Sequence, residues 1–187
     1  CIFNVIVGVD EVGCGSVAGS IFVCAVRVPD DWFLIGLNDS KKLKREQRLN
    51  LYNYLTERDA VEYKLVSRTN TEIDKRSLGV CLRECFQELI GWARDDDKII
   101  VDGLWKYPDS RVQSIAKADA TYPCVMAASV IAKHTRDTLM WGLHNQYPEY
   151  GWDTNVGYVS KAHKEAIKKF GYTDLHRKSY RLKGIND

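Results

Sequence analysis

The chain has 187 residues, of which 45% are hydrophobic and 28% charged, and this composition suits a single globular domain with a sizeable core. Its 27 Lys and Arg residues and 25 Asp and Glu residues leave a formal net charge of +2, so overall charge does not by itself indicate a nucleic-acid-binding protein. There is no CxxC pair, no signal-peptide pattern and no membrane-length apolar run. These features argue against a zinc site, a disulfide scaffold and a membrane protein, and we expect a cytoplasmic monomer with buried free thiols.

The first part of the chain predicts two paired strands, a helix and a third strand. An apolar, β-branched run at residues 5–9 indicates a buried strand, which ends in two acids and a glycine-rich turn. A second apolar run at residues 21–28 is expected to pair with it as an antiparallel hairpin. A helix is then predicted at residues 41–57 and an exposed strand at residues 62–66.

The rest of the chain predicts further helices and strands in mixed order. Helices are predicted at residues 71–92, 127–143 and 161–170, and strands at residues 98–101 and 111–116. Gly171 is placed to end the last helix. This order favours a layered α/β domain with a mixed sheet.

The C-terminal part is richer in basic than in acidic residues from Tyr158 onward. We predict a catalytic domain at residues 1–150 and a helical substrate-binding extension at residues 151–187 within one compact body, with residues 147–155 as the candidate linker. A basic tail could hold a polyanion, although a solvated surface helix explains the same lysines.

Four acids form the candidate catalytic set. Asp10 and Glu11 follow one apolar strand, Asp102 follows another, and Asp119 precedes the long helix. Carboxylates at the ends of neighbouring strands converge in a crevice, where a cation must offset their repulsion, and oxygen ligands suit Mg²⁺ or Mn²⁺. From spacing alone, a metal site and an ordinary set of turns and helix caps explain these residues equally well.

Longer segments around these acids resemble ribonuclease HII. Residues 8–15 resemble its opening Asp-Glu-x-Gly-x-Gly motif, residues 38–43 its Asp-Ser-Lys-x-Leu motif, and residues 101–103 the segment with its third acid. Its fourth-acid segment and following helix are similar to residues 117–119 and 127–137, and its C-terminal motifs to Gly157, Tyr158, His163 and residues 176–180. The matches occur in order across nearly the whole chain, so together they are specific.

The resemblance implies a ribonuclease H-like fold, with a five-stranded mixed sheet flanked by helices and a C-terminal helical extension. It implies an endonuclease that hydrolyses the RNA strand of RNA·DNA hybrids, and also cuts at ribonucleotides embedded in duplex DNA. Cleavage would use two Mg²⁺ or Mn²⁺ ions and leave 3′-hydroxyl and 5′-phosphate ends. Asp10, Glu11, Asp102 and Asp119 would bind the metal ions and assist catalysis.

The resemblance also implies the substrate-binding residues. The backbone of Gly13, Cys14 and Gly15 would approach the ribose 2′-hydroxyl, and Tyr158 would pack on the nucleotide at the RNA-to-DNA junction. Lys41 could contact phosphate or simply be solvated at a helix start. The family usually has Arg where this chain has Cys14, and a thiol cannot grip phosphate as a guanidinium does. We therefore expect cleavage at single embedded ribonucleotides to be weakened more than cleavage of long RNA tracts.

Two other functions stay open at this stage. The chain could be a nucleic-acid-binding member of the same fold with weak or no catalysis, or a DNA nuclease on that fold. The presence of all four acids argues against the first, and Tyr158 with the glycine loop argues against the second. His163 and His176 could transfer protons or bind phosphate, although a structural hydrogen-bonding role fits His176 better.

Overall fold

The computed structural model describes residues 5–29 and 43–185. The strands are β1 (Val5–Val12), β2 (Ile21–Pro29), β3 (Glu62–Arg68), β4 (Lys98–Asp102) and β5 (Val112–Ile115). The helices are α1 (Arg45–Thr56), α2 (Asn70–Arg76), α3 (Leu78–Trp92), α4 (Pro123–His144), α5 (Trp152–Asn155) and α6 (Lys161–Phe170), with short 3₁₀ turns at Ala118–Ala120 and Pro148–Tyr150. Within these residues, no helix is both long and apolar enough to cross a membrane.

The strands form one five-stranded mixed sheet in the order β3-β2-β1-β4-β5. The pairs β1–β2 and β2–β3 are antiparallel, whereas β1–β4 and β4–β5 are parallel. The predicted hairpin, the exposed third strand and the mixed sheet are confirmed. Because β1 and β4 run side by side in the same direction, the acids that follow their apolar residues reach the same edge of the sheet.

Helices cover both faces of the sheet. Alternate residues of β1, such as Val7 and Val9, pack in a core with α3, while Cys24, Val26 and Ile100 pack against α4 on the other face. Gly8 lets α4 approach the sheet closely, since a Cβ at this position would collide with backbone atoms of Cys124 and Val125. This contact sets α4 directly behind the acids that follow β1.

A third core joins the C-terminal region to the loop after β1. Val17 and Ala18 of that loop pack with Met140, Trp152 and Ile167. The interpretation of residues 147–155 as a linker is wrong, because Tyr150 and Trp152 are buried, with 4% and 0% of their surface exposed. The C-terminal region therefore supports the glycine-rich loop directly.

The predicted helix boundaries differ from the structure in three places. The helix expected at residues 71–92 is two helices, because Ser77 has φ 78° and its hydroxyl accepts a hydrogen bond from the Val80 N–H. The first helix begins at Arg45 rather than at residue 41, and residues 30–42 lie outside the described residues. The long helix begins earlier than expected, at Pro123, where a missing N–H costs nothing in the first turn.

The five cysteines in the described residues are free thiols, as expected from the sequence. Four of them are buried, and Cys14 is partly buried in the glycine-rich loop. Cys1 lies outside the described residues.

Candidate active site

The acids meet where β1 and β4 end. Val9 pairs with Val101 in the parallel register, so Asp10 and Asp102 follow at matching positions on adjacent strands. A cavity of about 390 Å³ opens at this edge of the sheet. It is lined by Asp10, Glu11, Val12, Gly13, Cys14, Gly15, Asp102, Ser129, Lys133 and Tyr158. The structure thus brings together three of the four predicted acids and most of the predicted substrate-binding residues.

Asp10 lies at the centre of this charge cluster and is 6% exposed. Burial, and then the negative charges of Glu11 and Asp102, raise the pKa of Asp10 to about 8. A hydrogen bond from the Ser129 hydroxyl opposes this rise, and the Glu11 N–H donates to Asp10 Oδ1 at 2.8 Å. A carboxylate so placed is costly to ionise unless a positive charge comes close.

Asp119 lies apart from the cavity lining. It is buried in the 3₁₀ turn at Ala118–Ala120, and the Ala118 N–H donates a hydrogen bond of 2.6 Å to Asp102 Oδ1. Asp102 is therefore tied to the residue that precedes Asp119. The fourth acid is a neighbour of the third through this turn, although it is not among the residues that line the cavity.

The chemistry of these carboxylates suits divalent ions, whereas their present geometry does not. In residues 5–29 and 43–185, no group of three or more His, Cys, Asp or Glu side chains is arranged to hold a metal ion as it stands. Three carboxylates nevertheless line one cavity, and two of them raise the pKa of the third. A bound divalent cation would remove that repulsion, and carboxylate oxygens are suitable ligands for it.

The glycine-rich loop is shaped by a buried arginine. Arg136, 0% exposed, donates hydrogen bonds to the carbonyls of Ser20, Val156 and Ala18 at 3.0, 2.8 and 3.1 Å, and to the Ser16 hydroxyl at 2.6 Å. Burial lowers its pKa to about 10, so it stays charged at neutral pH. The Arg136 side chain thus holds the loop by hydrogen bonds from the interior of the protein.

Gly13 lies directly over this guanidinium. It has φ +91°, and a Cβ at this position would collide with Arg136. Glycine is therefore required for two reasons, the left-handed backbone and the close approach of Arg136.

A second buried arginine holds the same loop from the C-terminal region. The Nε and Nη2 atoms of Arg177 donate to the Gly19 carbonyl at 3.0 and 2.9 Å, and Nη1 donates to the Cys14 carbonyl at 3.0 Å. The Tyr180 hydroxyl donates to the same Cys14 carbonyl at 2.8 Å. Within the described residues, neither Arg177 nor Arg136 forms a salt bridge, so two positive charges lie beneath the loop.

Cys14 contributes its backbone to this arrangement rather than a reactive thiolate. Burial, and then the charge of Glu11, raise the pKa of the Cys14 thiol to about 12. The thiol is therefore protonated at neutral pH, as is expected of a residue that is not a nucleophile. Its carbonyl, by contrast, accepts two hydrogen bonds.

Tyr158 faces the loop across the cavity. A Cβ added to Gly15 would lie 3.9 Å from Tyr158 Cε1, and Arg136 Cζ lies 5.3 Å from the centre of the Tyr158 ring. The ring is 36% exposed. An aromatic face and a strip of loop backbone therefore border the acids together.

Two buried histidines hold the backbone of Tyr158. His176 Nδ1 accepts a hydrogen bond from the Thr173 N–H at 2.9 Å, so its Nε2 carries the proton and donates to His163 Nε2 at 3.1 Å. His163 Nδ1 then donates to the Tyr158 carbonyl at 2.9 Å. Both rings are 0% exposed, and burial lowers the pKa of both. The structural role expected for His176 therefore extends to His163.

Several residues that shape the site were not predicted as site residues, although they lie within the motif segments at residues 127–137 and 176–180. Ser129 bonds Asp10, Lys133 lines the cavity, and Arg136 and Arg177 hold the loop. Lys133 and Arg136 lie among other polar residues of the helix, so no periodic signal set them apart. Lys41 lies outside the described residues, so its predicted phosphate contact stays a prediction.

Comparison with known proteins identifies the family. A family model described as Ribonuclease HII matches residues 7–183. The chain belongs to the ribonuclease HII family. A ribonuclease HII of Helicobacter pylori strain P12 is 40% identical over an alignment of 189 positions, which spans 95% of this chain and 92% of that protein.

Solved ribonuclease HII-type structures share the fold. The ribonuclease H2 of Pyrococcus horikoshii OT3 superposes with a TM-score of 0.78 at 29% identity, covering 95% of this chain and 94% of that one. The ribonuclease HII in the PCNA complex from Archaeoglobus fulgidus gives a TM-score of 0.79 at 25% identity, covering 97% and 96%. The ribonuclease H-like fold and the family predicted from the motifs are confirmed. As a member of this family, the chain is an endoribonuclease of the ribonuclease H type, a hydrolase that cuts the RNA strand of RNA·DNA hybrids.

Proposed function

We propose that the cavity at the ends of β1 and β4 is the place where the RNA strand is cut, with Asp10, Glu11, Asp102 and Asp119 as the catalytic acids. The observation that carries this proposal is the meeting of three acids with the glycine-rich loop and Tyr158 around one cavity. Acids and a ribose-contacting surface at one place are what a ribonucleotide-specific nuclease needs.

The acids would hold two divalent ions, Mg²⁺ or Mn²⁺. Such ions, when bound, activate a water for attack on phosphorus and stabilise the leaving 3′ oxygen. Asp10, Glu11 and Asp102 supply the carboxylates that line the cavity, and Asp119 would join them through movement of the turn that Ala118 ties to Asp102. The Ser129 hydroxyl keeps Asp10 oriented throughout.

The glycine-rich loop and Tyr158 would select ribose over deoxyribose. Arg136 and Arg177 engage the loop carbonyls from inside the protein, which leaves the outer surface of the Gly13–Gly15 backbone to meet a sugar. Tyr158 offers an aromatic face beside Gly15 for the sugar or base. A 2′-hydroxyl can bond to backbone groups here, whereas deoxyribose cannot.

Cys14 makes this site weaker at holding phosphate. Its thiol is neutral and its carbonyl faces inward, so it offers nothing to the backbone of the substrate. A long RNA tract offers many 2′-hydroxyls that can compensate for one lost phosphate contact, whereas a duplex with a single ribonucleotide offers only one. We infer that single embedded ribonucleotides are cut less well than RNA tracts.

The region at residues 151–187 would act as the substrate-binding extension of a catalytic domain at residues 1–150. Support comes from its packing against the loop through Val17 and Ala18, and from its excess of basic residues. Neutralising several phosphates with such residues would give salt-dependent binding. The partner in this proposal is an RNA·DNA hybrid or a ribonucleotide-containing duplex, bound by a monomer.

One cleavage assay tests the proposal, with Asp102→Asn as the variant. Asparagine keeps an oxygen for the Ala118 N–H, so the fold is retained while one charge is lost. We expect kcat on a labelled hybrid to fall by about 100-fold or more. Asp96→Asn is the matched control, because it removes an exposed acid that precedes the N-terminal end of β4, whereas Asp102 lies at the C-terminal end.

The substrates and ions in this assay separate the alternatives. Wild-type protein should cut the hybrid with Mg²⁺ or Mn²⁺, lose activity with chelator, and spare all-DNA duplex. All-DNA duplex cut as fast as the hybrid would instead indicate a DNA nuclease, and hybrid binding without cleavage would indicate an inactive binder. Undiminished activity of Asp102→Asn would contradict the proposed site.

A further inference from the structure

A second and larger cavity, about 690 Å³, lies beside the active site. It separates α3 from the loop that joins β4 to β5, and we call it the α3 groove. It is lined by Gly79, Arg83, Gln87, Ile90, Gly91, Trp105, Lys106, Tyr107, Pro108, Asp109 and Arg111. Its volume lies in the range of ligand-binding sites.

One wall of the groove is an unobstructed face of α3. Gly79, Arg83, Gln87 and Gly91 follow each other at intervals of four residues, which places them on one side of the helix. A Cβ added to Gly79 or Gly91 would meet no atom within 4 Å, so this side has open space before it. The remaining face of α3 packs in the core, so the open side is available for a ligand.

The opposite wall is aromatic and held in place. The rings of Trp105 and Tyr107 each lie 5.5 Å from the ring of Phe86, which is fully buried in α3. Both rings are half-buried, so each is anchored on its core side and partly open on the other. Fixed aromatic rings of this kind are platforms on which nucleic-acid bases stack.

The solvent-exposed side chains of the groove carry positive charge. Arg83 and Lys106 are exposed, and among the described residues neither forms a salt bridge. Arg111 differs, because Asp109 binds it at 2.8 Å and neutralises it. Two free cations beside two aromatic rings complement a ligand that is both anionic and aromatic.

The groove adjoins the catalytic acids. The Trp105 ring lies over Gly103, where an added Cβ would be 2.9 Å from Trp105 Nε1, and Gly103 directly follows Asp102. Burial, and then the charge of Glu11, raise the pKa of Tyr107, while Arg83 lowers it. Tyr107 is therefore within electrostatic reach of both the acid cavity and the open cation on α3.

We propose that the α3 groove binds an unpaired nucleotide of a single-stranded segment that continues from the hybrid being cut. Its base would stack on Trp105 and Tyr107, and its phosphates would lie near Arg83 and Lys106. The nucleotide must be unpaired, because neighbours in a duplex already cover the faces of a paired base. This inference rests on the proposed function and adds a preference for hybrids that border single-stranded ends.

The test compares a blunt hybrid with hybrids that carry a five-nucleotide tail on one of the four strand ends. We expect at least one tail to lower KM by about tenfold, the effect of stacking one base. The same tail built of abasic sites keeps the phosphates without the bases and should lose most of that gain. Free AMP should leave cleavage of the blunt hybrid unchanged, because that substrate has no unpaired nucleotide to place in the groove.

The variant for this test is Arg83→Gln combined with Lys106→Gln. Both side chains are exposed and lie outside the catalytic cavity, so the fold and the blunt-hybrid KM should be unchanged. The tail effect should disappear in this variant and persist in Lys98→Gln, a cation at the other end of β4.

Two results would overturn the inference. They are a KM that no tail lowers, and a tail effect that survives the double substitution. Cleavage of the blunt hybrid by wild-type protein tests the proposed function independently of the groove. Activity on the blunt hybrid without a tail effect refutes only the groove.

Discussion

Acid should destabilise the protein through the two buried histidines behind Tyr158. In the native state both rings are neutral, because His176 accepts from Thr173 and donates to His163, which in turn donates to Tyr158. A proton on either ring would place two donors face to face and leave a charge in a buried aromatic cluster. Burial, the neighbouring His163 and the positive charge of Lys178 lower the pKa of His176 from 6.5 to about 4.

The pKa of His176 in the folded and unfolded protein sets the direction and the pH range of the change in stability. The pKa of His176 is lower in the folded protein, so between pH 6.5 and 4 the unfolded chain binds more protons. The free energy of unfolding therefore falls as pH falls through this window, by as much as about 1.4 kcal/mol per pH unit for one histidine. Above pH 6.5 this contribution is constant.

Urea unfolding at several pH values between 7.5 and 4 measures the effect. In His176→Asn, the amide oxygen can still accept from the Thr173 N–H, while the bond to His163 is lost and the titrating group is gone. We expect a loss of about 1–3 kcal/mol at pH 7.5 and a flatter dependence on pH than in wild type. The same variant should raise the KM for hybrid by releasing the Tyr158 backbone.

His144→Gln is the matched control, because this histidine lies on the last turn of α4 and pairs only loosely, at 3.5 Å, with Asp153. Its substitution leaves the hydrogen bonds among Thr173, His176 and His163 intact, so the pH dependence that these bonds produce should be retained. If His176→Asn and wild type lost stability with the same slope between pH 6.5 and 4, the neutral histidine pair would be refuted.

Three further substitutions test the glycine-rich loop. Cys14→Arg should raise cleavage at a single embedded ribonucleotide more than cleavage of a long hybrid, and an equal change on both substrates would contradict the role given to this position. Gly13→Ala should destabilise the protein by about 1–3 kcal/mol and lower kcat/KM, whereas Gly142→Ala, in open space on α4, should stabilise it by up to about 1 kcal/mol, as urea unfolding would show. Arg177→Lys should cost about 2–4 kcal/mol and raise KM, since an ammonium cannot serve the Gly19 and Cys14 carbonyls together, and unchanged stability would show that the clamp is unimportant.

The sheet and its acids were predictable because apolar runs and their ends are local signals. Residues 5–9 and 99–101 are continuous apolar runs, and residues 21–28 are apolar apart from Arg27, which is the pattern typical of buried strands. The position of the acid that follows each parallel strand is fixed by that strand. The break at Ser77 was not predictable in this way, because neither glycine nor proline marks it. Ser77 takes a positive φ of 78°, a conformation that is uncommon for serine.

The supporting residues of the site were harder to predict than its acids. Arg136 and Arg177 donate to loop carbonyls, those of Ala18 and Gly19, that lie more than one hundred residues away in sequence, and no local pattern indicates such bonds. Asp119 shows the reverse case, since its motif was visible while its position outside the cavity lining depends on the turn that Ala118 and Asp102 share. Trp152 looked like part of a linker because the nearby proline and glycine dominate the local pattern, although it is fully buried.

The bonds from Arg177 to the loop after β1 also set an order of events during synthesis. The loop is made early, but two of its carbonyls find their donors only after Arg177, 158 residues beyond Gly19, has been made and has folded back. A nascent chain could therefore form the sheet and assemble its acids before its ribose-contacting surface is firm. Such an intermediate would have its catalytic acids in place but could not distinguish ribose from deoxyribose. That selectivity would be gained last, when the C-terminal region folds onto the loop.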